Sequence, residues 1–195
     1  MKYSLIVTLL AAGPALADCP VAADLETGIR VTESDGTTNT FRLIEEGIVQ
    51  NDGIATDGYT YRNLLAQGTH LIGLSDTTNG NDIPDTVRTM TYAFAPAGMP
   101  VPEASSSRSY QTTVTSPTSE YPETQTQAWG AMTTLTIGDC TYDMIPGKLT
   151  YTNTDYVVHE GLYYLPDVGL GLLHSYQIQG DPVDRYEAVR IEAVQ

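Results

Sequence analysis

The sequence predicts an all-β protein, an antiparallel array of about ten strands forming either a curved, open-barrel-like sheet or a β-sandwich. Three observations point there. Apolar residues recur with period two over most of the chain. Turn-forming pairs such as Asp35-Gly36, Glu46-Gly47 and Pro166-Asp167 separate those runs. Thirteen tyrosines, together with abundant threonine, suit half-buried pleated surfaces.

The chain opens with Lys2, an apolar run from Leu5 to Ala12, a Gly13-Pro14 break and Ala15-Leu16-Ala17. This order of charged, apolar and small residues predicts a signal peptide over 1–17. The apolar run is short for a bilayer span, and no later stretch is long and apolar enough. The expectation is therefore a chain exported to the periplasm or the extracellular space, and not transmembrane after signal cleavage. Asp18 stands where a lipid-modified Cys19 would need a small residue. Residues 18–195 read as a single β domain.

Along that domain, Ile29 and Val31 alternate with Arg30 and Thr32, Asp35-Gly36 turns, and Phe41 and Leu43 follow, which is a hairpin pattern. Glu46-Gly47 and Asp52-Gly53 read as further turns, with short strands at Tyr59, Tyr61 and at His70, Ile72. After a polar loop at 76–85, a strand over 86–94 aligns Met90, Tyr92 and Phe94. Residues 95–128 carry five of the eleven prolines and Ser105-Ser106-Ser107. They read as a Pro/Ser/Thr-rich loop with one edge strand at 110–115.

Strands resume at Leu135, Ile137 and at Tyr142, Met144, where Pro146-Gly147 reads as a turn, and continue through Leu149, Tyr151 and residues 156–165. In the next strand Leu170, Leu172, His174, Tyr176 and Ile178 are expected on one face, with Gly169 and Gly171 marking close backbone approach or bending. Residues 186–194 supply a last strand that can close the sheet beside a neighbour.

Cys19 and Cys140 are the only cysteines. In an oxidising compartment two thiols pair, so one disulfide is expected. It closes a long loop, which the chain-entropy model values at roughly 4 to 5 kcal/mol. The formal charge of −15 repels nucleic acid and anionic membrane surfaces, which removes nucleic acid from the partners to consider.

Motifs that carry chemistry are sparse. Asp76, Asn79, Asp82 and Asp85 form an oxygen-rich run that is able to ligate Ca²⁺, and an Asn-Gly hairpin turn explains the same letters. His159-Glu160 begins like a zinc-protease helix but lacks the second histidine. His174 on an apolar strand reads as a packed core histidine. No Gly-x-Ser-x-Gly elbow, phosphate loop or dinucleotide fingerprint occurs. No catalytic residue and no cofactor other than Ca²⁺ is singled out.

The run Cys140-Thr141-Tyr142-Asp143-Met144-Ile145-Pro146, then Tyr151, then Tyr163-Tyr164-Leu165-Pro166-Asp167-Val168-Gly169 resembles uncharacterised exported β-proteins of Gram-negative bacteria, over the last third of the chain. The resemblance implies a periplasmic location and an open-barrel style of sheet, and it transfers no catalytic residues. The expected function is a non-enzymatic binding or envelope-associated module. Its partner, an envelope component or a small ligand, would lie against the tyrosines of a concave sheet face. Two alternatives stand beside it: a hydrolase acting on an envelope polymer through a carboxylate or His174, and a structural calcium-binding protein.

Overall fold

The computed structural model describes residues 19–194, and the expected signal peptide at 1–17 lies outside the described residues. The described chain is all-β and antiparallel, with fifteen strands rather than about ten. β1 (Ile29–Glu33), β2 (Thr38–Glu45), β3 (Ile48–Ile54), β4 (Thr60–Ala66) and β5 (His70–Thr78) follow one another through tight turns. β6 (Asn81–Asp82) and β7 (Arg88–Thr91) are short, and β8 (Ser107–Thr115), β9 (Glu120–Trp129) and β10 (Thr133–Ile137) come next. β11 (Cys140–Thr152), β12 (Val157–Leu165), β13 (Leu170–Ile178), β14 (Asp184–Arg185) and β15 (Ala188–Ala193) complete the set, with short 3-10 turns η1 (Ala22–Glu26), η2 (Pro84–Thr86) and η3 (Pro96–Gly98).

Neighbouring strands run β14-β13-β12-β11-β9-β8-β7-β5-β4-β3-β2-β1-β15, with β6 beside β5 and β10 beside β11. The ladder is open, not closed into a barrel. Its two ends are nevertheless consecutive in the chain: β14 pairs with β13, β15 pairs with β1, and Tyr186-Glu187 lie between. The Tyr186 N–H donates to the His174 carbonyl at 3.0 Å, and the Ser34 N–H donates to the Glu187 carbonyl at 2.8 Å. One terminal segment is thus hydrogen-bonded to both margins of the sheet.

The expected loop at 95–128 is corrected: its second half is β8 and β9, long strands well inside the order. Apolar alternation fails there because the inward face of β9 carries Glu123, Gln125 and Gln127, all buried. Pro122 is tolerated because it lies beyond the β9–β11 ladder, which begins at Thr124. Pro96 to Pro100 form a strap instead of a free loop. The Gln67 side-chain amide donates to the Pro96 and Ala97 carbonyls, and His70 Nε2 lies 2.9 Å from the Pro100 carbonyl.

Two expected turns are strand interiors. Pro146-Gly147 sits within β11, where that edge passes from β10, which ends opposite Met144, to β9, which begins opposite Gly147. The Pro146 carbonyl accepts from Gly130 N–H on this side, so the missing proline N–H faces the gap between ladders. Asp52-Gly53 likewise lies in β3. Each glycine is roofed by its cross-strand partner: a Cβ on Gly53 would fall 2.1 Å from the Tyr61 ring, and one on Gly147 would fall 2.3 Å from the Trp129 ring. The aromatic ring fills the space a side chain would occupy.

Further corrections follow from irregular pairing. The strand expected over 86–94 is limited to Arg88–Thr91, and Phe94 is exposed. In β13 the register shifts, so that Leu173 faces Leu162 and Ser175 faces Gly161 while His174 is the extra residue of a bulge. Leu172 and Tyr176 consequently lie on opposite faces rather than sharing one.

Cys19 and Cys140 are bridged, with Cα atoms 5.6 Å apart. The disulfide belongs to the largest apolar cluster, where Leu25, Ile29, Phe41, Ile137, Tyr142 and Leu170 meet. A second cluster joins Trp129, Ile145, Leu149, Tyr151, Leu162 and Tyr164. Gly169 and Gly171 mark a close approach, as expected. The Gly171 N–H donates to the Gly68 carbonyl at 2.9 Å, and a Cβ on Gly68 would fall 2.1 Å from the Gly169 carbonyl oxygen. With φ at +66°, Gly68 also adopts backbone geometry that side chains disfavour. This contact fastens the β4–β5 turn to the β12–β13 turn across the concave side.

Candidate functional site

A partly open cavity of about 500 Å³ lies between β1–β5 on one wall and β11–β13 with β15 on the other. Strand alternation sets its lining. On β2 and β3 the inward positions are Asn39, Phe41 and Asn51. On β4 and β5 they include Tyr61, Leu65 and Leu71, and β12 contributes Glu160 and Leu162. Gly68 and Gly171, joined by their backbone hydrogen bond, lie on the lining. The lining also reaches the β1–β2 turn, where Asp35 is exposed.

Polar groups are concentrated in two places. In the first, Asn39 Oδ1 accepts from Tyr61 Oη at 2.8 Å and from Asn51 Nδ2 at 3.1 Å, and Asn39 Nδ2 donates to Glu33 Oε1 at 2.8 Å. Burial and then the neighbouring Asp35 charge raise the Glu33 carboxyl above the usual range, against the Asn39 hydrogen bond. Burial and the Glu33 charge push the Tyr61 hydroxyl up to about 12, so it is a neutral donor. Asn51 Oδ1 is buried without a partner, and so is the hydroxyl of Thr69, a second lining residue.

The second polar place is Glu160. Tyr151 Oη donates to Glu160 Oε2 at 2.8 Å. Protein surrounds this carboxylate, yet it keeps surface open to the cavity. Burial pushes Glu160 up to about 7; the Tyr151 bond opposes this and the Glu123 charge adds to it. Tyr176 and Tyr186 also line the cavity and feel the Glu160 charge.

Behind Glu160 the interior continues as a packed polar stripe. Glu123 accepts from Tyr156 Oη at 2.6 Å and from Gln125 Nε2 at 2.9 Å. Gln127 Nε2 contacts His70 Nδ1 at 2.9 Å. With Pro100 accepting at the other ring nitrogen, His70 fits a neutral imidazole protonated at Nε2, and burial holds its pKa below 6.5.

The chain was compared with protein-family models, curated proteins and solved structures. Nothing matches in any of the three. The reading of the site therefore rests on its own geometry.

The residues singled out in the sequence are dispersed. Asn79-Gly80 form the β5–β6 hairpin turn, both with positive φ. Asp82 Oδ1 accepts from Arg62 Nη1 and Ser75 Oγ, each at 2.9 Å, and Asp76 accepts from Tyr59 Oη. Asp85 lies in η2. Among the described residues, no three His, Cys, Asp or Glu side chains converge in a metal-binding group. His159 sits on β12 with Nδ1 3.1 Å from Thr150 Oγ1, and His174 stacks on Tyr163 with ring centroids 4.0 Å apart. Neither histidine lines the cavity. Glu160, Glu33, Asn39 and Asn51 were not foreseen. The readable signal was polarity at inward positions: an acid within the apolar run of β12, and asparagines in phase with Phe41 and Val49.

Proposed function

We propose that this chain is an exported, non-enzymatic binding protein that holds a small amphipathic ligand in the cavity of its open sheet. The observation that carries the reading is the cavity itself, with Phe41, Leu65, Leu71 and Leu162 as apolar wall and a few convergent polar groups. That mixture is how ligand pockets combine affinity with orientation. The buried, unpartnered Asn51 Oδ1 supports it, because an unsatisfied acceptor costs roughly 1 to 3 kcal/mol and is retained where something repays the cost.

Export is supported by the disulfide, which is at home in an oxidising compartment, and by the sequence resemblance to periplasmic β-proteins of Gram-negative bacteria. No described helix is long and apolar enough to cross a membrane.

Native mass spectrometry of protein recovered from the periplasm, with uptake of an apolar fluorophore, tests the reading. The expected result is a retained small molecule, or fluorophore uptake that Ala188→Phe at the cavity wall suppresses without loss of folding. Absence of both a retained mass and uptake by the wild-type protein overturns it.

A further inference from the structure

We propose that the cavity takes an organic cation, an ammonium group carried on an apolar body. This rests on the reading of the cavity as a ligand site and adds the chemistry of its occupant. The ionisable groups on the lining, tyrosines aside, are the acids Glu33, Asp35 and Glu160, and no Lys, Arg or His among the described residues joins them. An anionic amphiphile would enter against all three.

The unmet hydrogen-bonding capacity has the same sense. Glu160 Oε2 is occupied by Tyr151, whereas Oε1 receives no hydrogen bond from the described residues. Asn51 is 6% exposed, and its Oδ1 is a second acceptor without a donor. Thr69 Oγ1 can take either role. An ammonium group supplies three donors to these acceptors, and it alone also brings a positive charge to Glu160. A charge-assisted bond to Glu160 is the strongest contact open to such a group.

The rings complete the case. Phe41, Tyr61, Tyr151, Tyr176 and Tyr186 line the same space. Aromatic faces attract cations, and the attraction grows as water is excluded. A neutral amphiphile would gain the apolar contacts and could donate one hydrogen bond to Glu160 Oε1, but it would leave the carboxylate's charge unmatched.

The test compares phenylbutylamine, phenylbutanol and phenylbutyrate by calorimetric titration of the full-length protein at a pH where Glu160 is ionised. The amine is expected to bind about ten-fold more tightly than the alcohol, with the carboxylate weakest. Glu160→Gln, which keeps the shape and the Tyr151 contact, is expected to abolish the amine's advantage and leave the alcohol's affinity within about two-fold. Equal binding of amine and alcohol, tightest binding of the carboxylate, or an amine preference that survives Glu160→Gln overturns the cation assignment while the cavity reading stands. Failure of all three probes and of the apolar fluorophore overturns the cavity reading, and the cation assignment falls with it.

Discussion

Tyr151 and Glu160 are diagonal neighbours on β11 and β12: Tyr151 pairs with Val158 and Glu160 with Leu149, and the tyrosine hydroxyl crosses to the carboxylate at 2.8 Å. The bond occupies one oxygen of a surrounded acid that lines the cavity and leaves the other without a hydrogen bond from the described residues. The Tyr151 hydrogen bond favours ionisation of Glu160, but burial and the Glu123 charge outweigh it, and no cation among the described residues of the cavity lining compensates. Glu123 on β9 is a carboxylate, and Tyr151, Tyr92, Tyr176 and Tyr186 are phenols raised above 10.

A pH-dependent stability follows. Glu160 goes from an ordinary 4.5 unfolded to about 7 folded, so the native state holds more protons between those values. Stability should fall as pH rises through that window, with a penalty of up to roughly 3 kcal/mol above it, reduced by whatever water the cavity admits. Scanning calorimetry of Glu160→Gln is expected to show a higher Tm than wild type near pH 8 and no difference near pH 4. A lower Tm at pH 8 would count against the buried, strained carboxylate.

His70 acts in the opposite sense. Its folded pKa is held below 6.5 by burial, so its contribution is intact above 6.5 and is lost as pH falls toward the folded value. The imidazole resonances should be those of a neutral ring protonated at Nε2 above pH 6.5, with the titration midpoint below that value. Titration of His70 at or above 6.5 by NMR would contradict this placement.

The Cys19–Cys140 bridge spans 121 positions of sequence. Replacing both cysteines by serine should lower stability by about 4 kcal/mol, chiefly by freeing the unfolded chain. Urea unfolding checks this through a reduced midpoint, and a loss under about 1 kcal/mol would mean that the apolar cluster holds η1 in place without the bridge.

Gly68→Ala should be among the most damaging single-methyl additions. The new Cβ meets the Gly169 carbonyl oxygen on a backbone with φ of +66°. A loss of more than about 3 kcal/mol is expected, against about 1 to 2 kcal/mol for Gly58→Ala, whose positive φ carries the backbone strain alone because its surroundings are open. Urea midpoints of the two variants make the comparison.

The fold class was legible because one face of most strands is apolar and the turns carry their usual residues. β9 was not: with Glu123, Gln125 and Gln127 inward and threonines outward, both faces are polar and period two disappears. Pro146-Gly147 and Asp52-Gly53 misled for a related reason. The rings that make these glycines acceptable in a strand, Trp129 and Tyr61, come from neighbouring strands and are invisible to local reading. The candidate site was legible only in its tyrosines. Glu160 acquires its character from burial and from Glu123 on β9 and Tyr151 on β11, and the bulge at His174 that pairs Tyr176 with it leaves no mark in the alternation.

The terminal segment that pairs with both margins of the sheet sets an order on folding. Among the described strands β1 is synthesised first and β15, its outer neighbour, last. Until residue 193 is available the outer edge of β1 has no partner, and the hairpins from β2 to β13 can form while the sheet still gapes. Assembly of the described strands therefore ends with the long-range pairing of β15 onto β1 rather than beginning with it. A chain shortened by its final ten residues would keep nearly every hairpin and still present an open strand edge to any neighbouring molecule.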